Sequence, residues 1–113
     1  MEPAERQEVL VRLADAGYLN DGRVIRERAG RLAERGYGDA AIRLDLESRG
    51  AAPELAEAAI DALEPEWSRA ERLAGKQGAG TRTVRALARK GFSEASIERA
   101  LSAVARDTRG GLG

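Results

Sequence analysis

Apolar residues in this chain recur at steps of three and four, and each run that shows the pattern closes on a glycine, a proline or a polar turn. Such spacing lines one face of a helix, and no run alternates apolar with polar as a half-buried strand would. Seven helices are predicted. The first covers Pro3 to Ala16, with Val9, Leu10 and Leu13 inward and Gly17 ending it. The second runs from Gly22 to Arg35 and buries Ile25, Ala29, Leu32 and Ala33; the third, Asp39 to Arg49, offers Ile42 and Leu46. The fourth, Pro53 to Leu63, offers Ala56, Ile60 and Leu63, and Pro53 suits a first turn whose N–H is unused anyway. Pro65 opens the fifth in the same way, and that helix reaches Lys76 with Trp67, Ala70, Leu73 and Ala74 on one side. Gln77 to Gly80 is a connector, Thr81 the expected cap of the sixth helix to Lys90, and Ser93 the cap of the seventh. Phe92 and Ile97 stand at the spacing of a hydrophobic staple across that last cap.

The turns carry a second pattern. Gly17-Tyr18-Leu19-Asn20-Asp21-Gly22-Arg23 reads as a stop and a capped start, and Gly36 and Gly50 sit where helices end in the left-handed conformation. About 41 residues on, the grammar returns: Arg28, Ala29, Arg31, Leu32 and Ala33 recur as Arg69, Ala70, Arg72, Leu73 and Ala74. Leu46 and Gly50 recur as Leu87 and Gly91, and Ala59 and Ile60 fall on Ala100 and Leu101. A fixed period of this size marks stacked supersecondary units. The fold expected is therefore all-α, an elongated array of tandem three-helix modules. Residues 21–63 form one module and 64–106 the next; residues 1–20 are the closing helix of an incomplete earlier module, and 107–113 a flexible tail.

Gly17, Leu19, Asp21 and Arg23, then Gly36, Gly38, Ile42, Leu46 and Gly50, and then Gly91, Phe92, Ser93 and Ile97 together resemble the RecX family of regulators of the RecA recombinase. The resemblance implies repeated three-helix modules, usually three in number, that dock in the groove of RecA nucleoprotein filaments and suppress ATP hydrolysis and strand exchange. Val24 and Ile25 depart from it, standing where the family usually has an aromatic and then alanine. Most of the matching positions build the modules and are not themselves contacts.

Composition narrows the chemistry. With no cysteine and no histidine, a Cys/His zinc site, a thiol nucleophile and a histidine base are all excluded. Five serines lack any activating partner and read as caps and solvated surface. Gly75 to Gly80 lacks the preceding strand and the Gly-Lys-Ser/Thr ending of a phosphate loop. The acids between Asp39 and Glu66 lack the tight loop spacing of a calcium site. The longest run without a charge is six residues, Ala100 to Ala105, far short of the roughly 20 that span a bilayer. The expectation is a cytoplasmic, monomeric, non-enzymatic protein without cofactor or membrane contact.

Net charge is zero, from 19 basic and 19 acidic residues, but its distribution is polar. Residues 39–66 hold eight acids and two bases, a net of minus six; residues 67–113 hold four acids and ten bases, a net of plus six. Between Glu71 and Glu94 there is no acid, while Arg72, Lys76, Arg82, Arg85, Arg89 and Lys90 fall inside that window. These six are the candidate partner- or anion-binding residues. At 100° per residue Arg82, Arg85 and Arg89 share one face of their helix, with Val84, Leu87 and Ala88 opposite. A second stripe, Arg28, Arg31 and Arg35, recurs as Arg69, Arg72 and Lys76. The bland reading of such stripes is a solvated face paired with its neighbours, as Glu27 with Arg31, and the excess of 17 arginines over 2 lysines also follows from a GC-rich genome. The acid-free window resists that reading. The RecA filament is the expected partner; the alternatives are single- or double-stranded DNA bound directly by the basic module without RecA, and a scaffold with an unrelated partner.

Overall fold

The computed structural model describes residues 20–112. The predicted first helix from Pro3 to Ala16, with Gly17, Tyr18 and Leu19 of the turn motif, lies outside them. Among the described residues every element is a helix: α1 (Gly22–Glu34), α2 (Asp39–Ser48), α3 (Pro53–Asp61), α4 (Glu66–Gln77), α5 (Thr81–Arg89) and α6 (Glu94–Leu112). Asp21 caps α1, its carboxylate accepting the Arg23 N–H at 2.9 Å. Ser93 Oγ accepts the Ser96 N–H at 3.1 Å at the start of α6, and Phe92 and Ile97 are buried in the same cluster, as the staple spacing predicts.

Two starts differ from expectation by a residue. Thr81 is the first residue of α5 rather than its cap, a place taken by Gly80 with no side-chain bond. Pro65 holds the cap position of α4 rather than its first turn. α6 runs on to Leu112, through the residues expected as a tail.

Three helices end alike. Leu32, Leu46 and Leu87 are each followed four residues on by a glycine at φ near +90°: Gly36, Gly50 and Gly91. In each case the N–H one residue further returns to the leucine carbonyl, from Tyr37, Ala51 and Phe92, at 3.1, 3.0 and 3.1 Å. The glycine N–H groups donate in turn to the Ala33, Glu47 and Ala88 carbonyls at 3.0, 3.0 and 3.1 Å, and this double closure satisfies carbonyls left free at the helix end. A side chain with a Cβ would pay a steric penalty in that conformation, so the recurring Leu-x-x-x-Gly is a backbone requirement.

α1, α2 and α3 pack on one another, and α4, α5 and α6 do likewise. The first bundle encloses Ile25, Ala29, Ile42, Leu46, Ala56 and Ile60. Each of its large aliphatic side chains contributes about 1.5–3 kcal/mol on burial. The second bundle encloses Ala70, Leu87, Phe92, Ile97 and Ala100. Its fewer large side chains make it the less deeply cored of the two.

The bundles meet through backbone. The Gly38 N–H donates to the Lys90 carbonyl at 2.8 Å and the Ala40 N–H to the Gly91 carbonyl at 3.3 Å. Glu66, at the start of α4, joins two other helix starts. One carboxylate oxygen accepts the Asp39 N–H at 2.7 Å, and the other accepts the Ser93 N–H at 3.2 Å and the Ser93 hydroxyl at 2.8 Å. An acid so placed meets both unpaired N–H groups and the positive ends of two helix dipoles.

Arg69 completes the joint. Only 6% exposed, it donates to the Glu64 carbonyl at 2.9 Å, to the Tyr37 carbonyl at 2.9 Å and to the Asp39 carboxylate. The Phe92 ring centroid lies 5.9 Å from its guanidinium carbon. Beside it Lys90 Nζ rests 4.3 Å from the centre of the Tyr37 ring. Side chains and backbone of both bundles are thus tied around α4, and this fixes the direction in which α5 faces.

Candidate partner-binding surface

α5 is strongly two-sided. Thr83 and Leu87 are buried against the bundle, Val84 and Ala86 half-buried, and Arg82, Arg85 and Arg89 exposed. Ala88 departs from the predicted arrangement: it is exposed and sits among the arginines, while Thr83 takes the inward place. The reason is rotational. Thr83 and Leu87 are four residues apart and define the buried line, which turns Ala88 outward beside Arg85 and Arg89. Thr81, Arg82, Arg85, Ala88 and Arg89 line one open hollow of about 630 Å³.

Of the six candidate cations, the structure gathers these three arginines. None of them pairs with a carboxylate among the described residues. Lys76 is exposed in the last turn of α4, outside the hollow. Lys90 is used within the chain, over Tyr37. Arg72 has an acid after all: it pairs with Glu64, eight positions back in sequence. The acid-free window is a property of the local sequence, and the fold brings Glu64 to it from the preceding loop.

The second stripe divides in the same way. Arg28 bonds the Asp45 carboxylate through two nitrogens, at 2.5 and 3.1 Å, and its counterpart Arg69 is enclosed at the joint, so neither serves as a free surface cation. Arg43 pairs with Glu57, and Arg99 stacks on Trp67 at 3.9 Å. Sequence periodicity missed Arg69 as a structural cation. The signal that finds it is the Asp39 carboxylate and two carbonyls converging from other elements, which no local spacing displays.

These contacts set the behaviour of the acids. The bond from Arg28 holds Asp45 below the ordinary carboxylate value, against an opposing push from burial. Hydrogen bonding by Arg43 lowers Glu57, and bonds from Arg72 and Ser68 lower Glu64. At Glu66 burial pushes upward, but the bonds from Ser96, the Asp39 backbone and Ser93 outweigh it and the net direction is down. Asp39 moves up: burial dominates, with Glu66 adding to it, against the pull of Arg69. A depressed folded value means stability that is present above the unfolded value and lost as pH falls through the folded one. Four acids act in that sense and Asp39 in the opposite one. Thermal melts followed by circular dichroism should therefore show the midpoint falling as pH drops past 4.5, the ordinary glutamate value, and continuing to fall below 3.8, the ordinary aspartate value. A midpoint that rises across this range would contradict the assigned contacts.

No helix among the described residues is long and apolar enough to cross a membrane, and no group of three or more His, Cys, Asp and Glu among them could hold a metal ion. Two tied helical bundles with an outward basic helix define an all-helical protein. Two curated relatives give that class a family. The regulatory protein RecX of Xanthomonas axonopodis pv. citri (strain 306) and that of Xanthomonas citri are each 35% identical to this chain over 114 residues, covering 88% of it and 68% of the relative. The chain belongs to the RecX family of regulatory proteins. No family model matches it, and no solved structure does.

Proposed function

We propose that this chain is a non-enzymatic modulator of RecA, docking on RecA nucleoprotein filaments in the cytoplasm and opposing their ATP hydrolysis and strand exchange. Recombination and DNA repair would be tuned accordingly. The observation that carries the reading is the 35% identity to regulatory protein RecX across 88% of the chain. The tied bundles support it, because two contacts held on one body raise the effective concentration of the second once the first is made. A helical polymer offers neighbouring copies for such a two-point contact.

The test is single-strand-dependent ATP hydrolysis by the cognate RecA, with and without excess DNA. Inhibition should appear and persist in the excess, and separate bundles should inhibit poorly even when mixed. Unchanged hydrolysis would reject the reading. Relief of all inhibition by added DNA would favour the second reading, direct nucleic-acid binding, which the unpaired arginines of α5 support. In that case log K should fall with log salt at about 0.7 to 0.9 per phosphate neutralised.

A further inference from the structure

We propose that the hollow over α5 seats an acidic segment of the protein partner, with carboxylates bound by Arg82, Arg85 and Arg89. The inference rests on the filament-docking reading only in naming a protein as the partner. Its first support is the unpaired cationic cluster itself: three arginines border one hollow, and the described residues supply them no acid. At 1.5 Å rise per residue, Arg82 to Arg89 spans about 10 Å. Each guanidinium offers a planar fork suited to a carboxylate.

The second support is a comparison inside the molecule. α2 and α5 begin with the same geometry, an extended glycine without a side-chain cap: Gly38 at φ −84° and ψ 172°, Gly80 at φ −90° and ψ 179°. At α2 that start receives a carboxylate from the other bundle, Glu66 on the Asp39 N–H at 2.7 Å. At α5 it lies open, with nothing within 4 Å of a Cβ built on Gly80. The chain thus shows, at its own joint, the ligand that such a helix start takes.

A nucleic-acid strand fits this face less well. Binding of single strands combines cations with aromatic platforms on which bases stack, and α5 carries no aromatic residue. Phe92 is buried, Tyr37 lies under Lys90, and Trp67 is stacked by Arg99. A short acidic segment need touch α5 alone.

Fluorescence anisotropy with labelled oligoglutamate and labelled oligothymidylate of equal net charge tests the assignment on the full chain. Oligoglutamate should bind the tighter, and joint Arg82→Glu, Arg85→Glu and Arg89→Glu substitution should weaken it at least about tenfold. The triple glutamine variant, which removes charge without reversing it, should weaken it in the same direction, and Arg26→Glu on exposed α1 should leave it unchanged. Tighter binding of oligothymidylate would overturn the proposal and assign the face to nucleic acid. Equal loss from Arg26→Glu, or no loss from either triple variant with helical content intact, would overturn it as well. Because the peptide arm contains no RecA, failure to inhibit the filament and failure of this seat are separate results.

Discussion

Replacing Gly38 with alanine is expected to force the two bundles apart and to destabilise the protein by about 2–4 kcal/mol, the sum of an overpacked contact and weakened backbone hydrogen bonds. A Cβ built on Gly38 lies 2.4 Å from the Gly91 carbonyl carbon and 2.4 Å from the Phe92 nitrogen. Both are main-chain atoms, and no rotamer change can move them aside. The bonds from Gly38 to Lys90 and from Ala40 to Gly91 would be lost or stretched together. Domains have about 5–15 kcal/mol in total, so the loss should be plain in urea denaturation followed by circular dichroism. Gly75→Ala is the matched control, since its added methyl meets nothing within 4 Å and alanine favours the helix. If Gly38→Ala unfolds at the same urea concentration as Gly75→Ala, the bundles do not meet as described.

Arg69→Met should cost about 3 kcal/mol, near the lower end for breaking a buried ion pair from one side. Methionine keeps much of the apolar stem but leaves the Glu64 carbonyl, the Tyr37 carbonyl and the Asp39 carboxylate without their donor. The Asp39 side chain retains 28% exposure, so water relieves part of the loss. Arg69→Lys should fall between, because an ammonium keeps the charge but cannot span three diverging acceptors. Arg28→Met is the informative comparison. Arg28 and Asp45 are each about a quarter exposed and belong to one bundle, so its loss should be the smaller. Equal midpoints for wild type and Arg69→Met would show that the enclosed guanidinium contributes nothing to the joint.

What could be read in advance follows from which constraints are local. A left-handed helix end needs glycine, and Gly36, Gly50 and Gly91 announce themselves for that reason. The Asp21 cap and the Phe92–Ile97 staple lie within a turn of the residues they serve and are equally legible. Arg69 is not. Its stripe spacing matches that of Arg28, and only the meeting of α2 with α4, 30 positions apart in chain, makes it a buried cation. Arg72 eluded the charge count because its acid, Glu64, lies eight positions back, before the acid-free window opens at Glu71. Gly38 was visible as a turn residue, but the reason for its lack of a side chain is Gly91, more than fifty positions later. On α5 the arginine face was legible from periodicity, whereas the exchange of Ala88 for Thr83 was not, since a small residue suits either side.

The joint between the bundles includes main-chain contacts, one acid shared by two helix starts, and an arginine held by carbonyls. Directional contacts of this kind tolerate little change of distance or angle, so the joint holds one bundle at a defined angle to the other.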